Sequence, residues 1–216
     1  LARALTPKRP SLAVIGGAKF ETKEAVLTKL LATYDRVFVG GAVATDFLKA
    51  AGQEVGKSLV SGSPENPFQT LLKNPKLVLP IDSLVVSATK TAHATARVRR
   101  HTFRVGSASR IAPQGEVQPD ERILDHGPGT SALLAELAAK AKTILWNGPL
   151  GKYEGGFTKA TDAFARRLGP TQGESIVVAT RRLEAEMRHV PPGAALCSMQ
   201  ETLPPLVQAS TALRRS

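Results

Sequence analysis

The sequence is poor in cysteine, in aromatic side chains and in long apolar runs. Its 216 residues include one cysteine, Cys197, and only 5% aromatic residues. A single cysteine excludes an intrachain disulfide and a cysteine-based zinc cluster. It also fits a reducing compartment, so we expect a cytoplasmic location. No apolar run approaches the roughly 18 residues that a membrane helix requires, so no membrane partner is expected.

Acidic residues are few relative to basic ones. The chain carries 29 Lys and Arg residues against 18 Asp and Glu residues, a formal net charge of +11. This excess suits an anionic partner, which would be a phosphorylated metabolite, a nucleotide, a nucleic acid or a membrane surface, and the sign alone does not choose among them. With 42% hydrophobic residues, the chain is long enough for one large or two small domains with a buried core.

Short apolar runs that end in glycine pairs alternate with helical patterns. The run 11–15 leads into the glycine pair 16–17, and the run 36–39 leads into the pair 40–41. Continuous apolar runs are typical of strands buried on both faces of a parallel sheet. The alternation predicts an α/β fold with three layers, in which a doubly wound, mostly parallel sheet carries helices on both faces, as in Rossmann-like domains. Ligands of such folds bind at the carboxyl ends of the strands.

The other predicted elements follow from the same patterns. Further strands are predicted at 76–79, 83–86, 143–146 and 175–178, and helices at 21–31, 43–51, 131–141 and 157–168.

Arginine and lysine are segregated along the chain. Residues 97–122 hold six arginines and no lysine, and residues 161–216 hold seven arginines and no lysine. The rest of the chain holds thirteen lysines and three arginines. Three interpretations of 97–122 stay open: a solvated basic loop, a nucleic-acid-binding patch with Phe103 as its one aromatic residue, or altered sequence.

The segment Gly16-Gly17-Ala18-Lys19 follows a predicted strand and precedes a predicted helix. Bare backbone N–H groups and an ammonium at such a turn favour an anion such as phosphate. The spacing matches neither a GxxxxGK[ST] loop nor a GxGxxG fingerprint, and tight packing of the turn is the alternative interpretation.

Two other strand ends carry candidate binding residues. Gly40 and Gly41 would let a flat ring approach the backbone closely. In the segment 146–154, Asn147 would hold phosphate and Glu154 would accept hydrogen bonds from ribose hydroxyls; the alternative is an ordinary turn with a solvated glutamate. The four histidines lack metal-ligand spacing and no GxSxG motif is present, which disfavours acyl transfer.

Six ordered motifs resemble the phosphoglycerate kinase family, specifically its C-terminal, nucleotide-binding half. They are Arg9-Pro10 leading to 13–19 (AVIGGAK) with Lys23, then 39–42 (VGGA) with 47–49 (FLK), 54–59 (EVGKSL), 79–82 (LPID), 124–128 (LDHGP) and 146–151 (WNGPLG).

This resemblance implies phosphoryl transfer between ATP or ADP and the pair 3-phosphoglycerate and 1,3-bisphosphoglycerate in glycolysis, with Mg²⁺ accompanying the nucleotide. It implies that Lys19 is catalytic, because phosphoryl transfer depends on positioning and charge neutralisation. Gly40, Gly41, Leu59 and Leu124 would line the adenine pocket. No metal ligand is assigned. The implied nucleotide-binding positions are Gly16, Gly17, Ala18, Lys19, Lys23, Gly40, Gly41, Leu59, Leu124, Asn147, Pro149, Gly151 and Glu154.

The sequence departs from the family pattern in two places. The family's GGGDT segment, which carries a magnesium ligand, is absent after the strand at 175–177, where the chain runs into 178–182. The family's STGGGAS loop is replaced by 191–197, in which only Gly193 matches a glycine. An inactive nucleotide-binding remnant, or a basic nucleic-acid-interacting module, is therefore an alternative function.

The resemblance also sets the expected domain organisation. Residues 1–10 are expected to be a linker and 11–216 a nucleotide-binding domain, with 97–122 an atypical arginine-rich insertion or loop and 170–216 an atypical C-terminal part. Phosphoglycerate would bind a missing N-terminal domain, so this chain alone is expected to be inactive or incomplete. A monomer is expected, and a nucleic-acid partner is not.

Overall fold

The computed structural model describes residues 2–18, 23–62, 65–87, 109–168, 174–179 and 195–198. The helices are α1 (Ala2–Leu5), α2 (Glu24–Thr33), α3 (Gly41–Ala50), α4 (Glu65–Leu72), α5 (Pro128–Lys140) and α6 (Lys159–Leu168), with a 3₁₀-helix at Tyr153–Gly155. The strands are β1 (Ser11–Ile15), β2 (Arg36–Val39), β3 (Leu77–Val78), β4 (Asp82–Ser87), β5 (Ser109–Pro113), β6 (Glu121–His126), β7 (Thr143–Asn147), β8 (Glu174–Ala179) and β9 (Ala195–Ser198).

Six of these strands form one parallel sheet in the order β3-β2-β1-β7-β8-β9. The chain builds outward from β1 to β3 and then returns to the other side of β1 with β7. In doubly wound sheets this reversal of strand order leaves a crevice at the carboxyl ends of the two central strands. The prediction of a doubly wound parallel sheet is confirmed, and the crevice lies between β1 and β7.

Helices cover both faces of the parallel sheet. Along β1, Ala13 and Ile15 pack into a core with α2, α3 and α4, whereas Leu12 and Val14 pack into a second core with α5 and α6. Side chains alternate between the faces of a strand, so a strand covered on both sides must be apolar throughout. The same rule explains the uninterrupted apolar run of β7, whose Trp146 lies 5.0 Å from the ring of Phe164 between centroids.

A second, antiparallel sheet has the order β5-β4-β6. The sequence patterns predicted the strand at 83–86 but not the sheet in which it pairs. Residues 109–113 and 121–122, from the arginine-rich stretch, belong to the other two strands of this sheet. Arg110 donates hydrogen bonds to both carboxylate oxygens of Glu121, at 2.7 and 2.8 Å. Residues 97–108 lie outside the described residues.

The first residues of the chain contact the core of the domain. Ala4 in α1 is fully buried, and the Tyr34 hydroxyl donates a hydrogen bond to its carbonyl oxygen at 3.0 Å. Lys8 donates its backbone N–H to the Thr143 hydroxyl at 2.9 Å. The segment predicted as a linker is therefore docked on the parallel sheet where the structure describes it.

Helix α5 begins three residues earlier than predicted because Asp82, the first residue of β4, caps its first turn. The Asp82 carboxylate accepts hydrogen bonds from the backbone N–H groups of Gly129 and Thr130, at 2.8 and 2.7 Å, and from the Thr130 hydroxyl at 2.5 Å. These N–H groups have no partner within the helix. Pro128 needs no partner at the first helical position. Asp82 thus joins the antiparallel sheet to α5.

We predict that Asp82→Ala lowers the free energy of unfolding by about 1–2 kcal/mol, as loss of a helix cap does. Urea denaturation followed by far-UV circular dichroism measures this loss. Glu116→Ala, at an exposed acid of the β5–β6 loop, is the matched control and should change stability by less than about 0.5 kcal/mol. Equal stabilities of the two variants would contradict the capping role.

Candidate functional site

The carboxyl ends of β1, β2 and β7 are joined by backbone hydrogen bonds. Gly16 donates its N–H to the carbonyl oxygen of Asn147 at 2.7 Å, and Gly17 donates to that of Pro149 at 2.8 Å. Gly41 donates to the carbonyl oxygen of Leu150 at 3.0 Å. The three strand ends thus meet at the predicted crevice, and the turns after them form one hydrogen-bonded unit.

This backbone contact explains why glycines stand at the strand ends. A Cβ atom at position 16 would lie 2.0 Å from the carbonyl oxygen of Pro149. Gly17 and Gly41 have φ values of +89° and +61°, and a Cβ at position 41 would lie 2.7 Å from the N atom of Gly17. Gly40 stands against the side chains of Leu150 and Phe38. Tight packing, the alternative interpretation, therefore accounts for part of the glycine pattern.

A cavity of about 860 Å³ opens at these turns. This volume lies within the range of sites that hold small molecules and cofactors. Of the thirteen predicted binding positions, those that line it are Gly17, Ala18, Lys23, Gly41, Leu59, Leu124, Asn147, Pro149 and Gly151. Gly16 and Gly40 adjoin it through the contacts above. Lys19 lies outside the described residues, and Glu154 lies in the 3₁₀-helix with its side chain also outside them.

One end of the cavity is rich in hydrogen-bond donors. Lys23 is only 5% exposed, and its Nζ donates a hydrogen bond to the carbonyl oxygen of Gly16. Burial lowers the pKa of this ammonium to about 8. The buried Nδ2 of Asn147 has no hydrogen-bond partner within the described ranges. A buried polar group without a partner is costly, so this end is suited to an acceptor-rich anion such as a phosphate.

An apolar wall of the cavity comes from β6 and from a loop attached to it. Leu124 lies on β6, and Leu59, which is 62% exposed, lies on the loop between α3 and α4. That loop is fixed to β6: Lys57 donates its N–H to the carbonyl oxygen of Glu121 at 2.7 Å, and the Ser58 hydroxyl accepts the N–H of Ile123 at 2.8 Å. Both leucines line the cavity, and together they offer a flat ring apolar surface.

The end of β6 brings two titratable groups that the sequence patterns did not single out. Burial raises the pKa of the Asp125 carboxyl to about 7, against the opposing effect of N–H donors from Ala160 and His126. Burial also lowers the pKa of the His126 imidazole, which lies edge-on to the ring of Phe38. Both residues line the cavity. Their place depends on the second sheet, whose pairing the sequence did not reveal.

Two kinds of feature are absent from the described ranges. No group of three or more His, Cys, Asp or Glu residues there is arranged to hold a metal ion. No helix among them has the length and apolar composition needed to cross a membrane. The lining described above joins a donor-rich end to an apolar wall. This combination fits a molecule with an anionic part and a flat apolar part.

Comparisons with curated proteins agree on one family. The family model described as phosphoglycerate kinase matches residues 1–190. The phosphoglycerate kinase of Azorhizobium caulinodans is 40% identical over 175 residues, covering 78% of this chain and 41% of that protein. That of Koribacter versatilis is 37% identical over 179 residues, covering 80% and 41%. The chain thus spans about two fifths of the length of these relatives.

Solved structures give the same result. The structure of phosphoglycerate kinase from Coxiella burnetii matches with a TM-score of 0.80 and 31% identity over 96% of this chain and 54% of that one. The enzyme from Pyrococcus horikoshii matches with a TM-score of 0.72 over 98% and 55%, and at 20% identity it supports the fold alone. With most of its length matched by the family model, the chain belongs to the phosphoglycerate kinase family.

Proposed function

We propose that this chain is the nucleotide-binding part of a phosphoglycerate kinase and that its cavity holds ADP or ATP. The observation that carries the proposal is the joining of a donor-rich end, with a buried lysine and an unpartnered asparagine amide, to an apolar wall. The nucleotide phosphates would lie at the strand ends beside Gly17, Lys23 and Asn147. The adenine ring would lie between Gly41 and the leucine pair of the wall.

The proposed chemistry needs little beyond charge and position. In phosphoryl transfer the protein mainly aligns the reacting oxygens and neutralises the charge that spreads over the transferring group. Lys23 would supply that neutralisation on the nucleotide side, and family resemblance adds Lys19. Glu154 would hold the ribose hydroxyls, as family resemblance implies.

The complete reaction requires more than this chain. Because the chain spans about two fifths of its curated relatives, we assign the binding of 3-phosphoglycerate and 1,3-bisphosphoglycerate to a separate N-terminal part, with turnover after the two parts close. The described residues offer no carboxylate cluster for a metal, so they do not fit a protein-held Mg²⁺. The nucleotide would therefore bring its own Mg²⁺ into the cavity.

An inactive nucleotide-binding remnant is the second candidate. It is favoured by the departures from the family pattern at 178–182 and 191–197, which lie largely outside the described residues. Turnover separates it from the first candidate: this chain mixed with the separate N-terminal part of a relative should form ATP from 1,3-bisphosphoglycerate and ADP. Nucleotide binding without any turnover in that mixture would favour the remnant.

The first prediction for the site is that excess MgADP raises the melting temperature. Ligand at about 100 times its dissociation constant adds roughly 2.7 kcal/mol to the stability, which corresponds to about 5–10 °C for a domain of this size. The fluorescence of Trp146, the only tryptophan, follows the transition. Lys23→Gln should melt cooperatively and show a much smaller increase. A wild-type melting temperature that MgADP leaves unchanged would refute nucleotide binding.

The second prediction concerns the pH dependence of binding. The pKa of Lys23 is lowered to about 8, so its ammonium loses its proton as pH rises through 8, and a phosphate that requires the charge must then bind with proton uptake. We expect the affinity for MgADP to fall by about tenfold between pH 7 and pH 9.5, the value of one charged hydrogen bond. Isothermal titration calorimetry measures the affinities.

Lys23→Arg is the matched variant, because a guanidinium stays protonated throughout this pH range. The part of the pH dependence centred near pH 8 should be absent from this variant, whereas the ionisation of Asp125, which lines the cavity and has a pKa of about 7, should affect both proteins alike. Identical pH profiles of the wild type and Lys23→Arg would show that the Lys23 ammonium does not contact the phosphates.

A further inference from the structure

The segment 147–152 begins at the last residue of β7 and continues into the loop that follows it. Its outer side is held by two elements. We refer to this segment as the β7 loop. Its Lys152 donates a backbone N–H to the carbonyl oxygen of Leu124 on β6 at 2.7 Å. Its Leu150 donates a backbone N–H to the Thr161 hydroxyl on α6 at 3.1 Å. The position of the loop is therefore set jointly by the antiparallel sheet and by the first turn of α6.

The inner side of the β7 loop holds the glycine turns of the cavity. The carbonyl oxygens of Pro149 and Leu150 accept the N–H groups of Gly17 and Gly41, at 2.8 and 3.0 Å. The backbone of the glycine turn and that of the β7 loop are in direct contact, since a Cβ at Gly16 would lie 2.0 Å from the Pro149 oxygen. A displacement of the loop must therefore displace the turns that form the donor-rich end of the cavity.

Asp125 lies where β6, the β7 loop and α6 meet. Its side chain is buried, with the residue only 3% exposed. Its Oδ2 accepts the N–H of Ala160, in the first turn of α6, at 3.1 Å, and its Oδ1 accepts the N–H of His126 at 3.0 Å. A Cβ at Gly151 would lie 2.4 Å from Oδ1, so the loop backbone packs directly on the carboxylate. One carboxylate thus contacts all three elements.

An ordinary packing role would not require an acid at this position. Burial raises the pKa of Asp125 to about 7, and Asp162 on α6 raises it further. A carboxyl group that stays buried despite the free-energy cost of its desolvation is typical of a site that needs a specific arrangement of atoms. The carboxylate provides two hydrogen-bond acceptors that an apolar side chain lacks. One accepts the N–H of Ala160, which has no partner within α6, and the other accepts the N–H of His126 in β6.

We propose that Asp125 is a positioning residue that fixes the β7 loop and, through it, the glycine turns at Gly17 and Gly41 that receive the nucleotide. This inference rests on the proposed nucleotide binding. Asp125 acts through the loop backbone and does not itself contact the transferring group. Its removal is expected to alter the geometry of the ligand-free site as well as the affinity for the ligand.

The test compares Asp125→Asn with Asp35→Asn in the full chain. Both substitutions replace a carboxylate that accepts a backbone N–H, but Asp35 accepts the N–H and the hydroxyl of Ser11 at the amino ends of β1 and β2, the edge of the sheet away from the cavity. In Asp125→Asn, we expect the dissociation constant of MgADP to rise about tenfold, because an amide cannot accept both N–H groups with equal geometry. In Asp35→Asn, the melting temperature should fall while the dissociation constant stays within about twofold.

Trp146 provides a readout that needs no ligand. Its indole N–H donates to the carbonyl oxygen of Gly148 in the β7 loop at 2.8 Å. Asp125→Asn should therefore change the emission maximum of the ligand-free protein, and it should speed hydrogen exchange at the Gly17 and Gly41 amides. Asp35→Asn should change neither. These two measurements distinguish loop displacement from a general loss of stability.

A second variant covers the case in which Asp125→Asn does not fold. Thr161→Val removes the other outer support of the loop, the hydroxyl that accepts the Leu150 N–H. We expect it to shift Trp146 emission in the same direction and to weaken MgADP binding by about three- to tenfold.

Three results decide the matter. A folded Asp125→Asn with wild-type emission, exchange and affinity would overturn the positioning role, and so would a Thr161→Val variant with wild-type values where Asp125→Asn does not fold. If the wild-type chain fails to bind MgADP, the proposed function falls. Trp146 emission and amide exchange would in that case still decide whether Asp125 holds the β7 loop.

Discussion

The close contact between the ends of β1 and β7 is the constraint on which the site depends. Gly16 and Gly17 donate their N–H groups to carbonyl oxygens of the β7 loop, and no side chain fits between the two backbones. The contact is possible because β1 and β7 are adjacent and parallel, so their carboxyl ends lie at one edge of the sheet. The sheet order, the glycine turns and the cavity therefore have a common origin.

The antiparallel sheet converts this crevice into a cavity with two kinds of surface. The ends of the parallel strands place the Lys23 ammonium and the Asn147 amide at the cavity, and these donors suit an anion. The apolar wall comes from β6 and from the α3–α4 loop attached to it. Asp82 ties this sheet to α5, and Asp125 ties it to α6 and the β7 loop. Two buried or partly buried carboxylates thus fix the wall relative to the donor-rich end.

The sequence predicted those features that depend on near neighbours along the chain. Uninterrupted apolar runs identified β1, β2 and β7, and glycine pairs identified the turns, because burial on both faces and close backbone approach each constrain residue type directly. The pairing of the antiparallel sheet was missed because its strands are only partly buried and so lack continuous apolar runs. Asp125 was missed as a junction because the N–H group it accepts belongs to Ala160, 35 residues away. Such a partner leaves no local pattern.

Burial shifts three titratable groups of the cavity toward their neutral forms. It lowers the pKa of Lys23 and of His126, and it raises the pKa of Asp125. The whole chain has a net charge of +11, yet among the described residues the partner of the lysine inside the cavity is an uncharged carbonyl oxygen. An entering anion would supply the opposite charge that the buried ammonium lacks, so the ionised state of Lys23 becomes more favourable once the cavity is filled. Burial of the lysine therefore makes its charge depend on the ligand, and an uncharged ligand of the same shape would not recover that electrostatic gain.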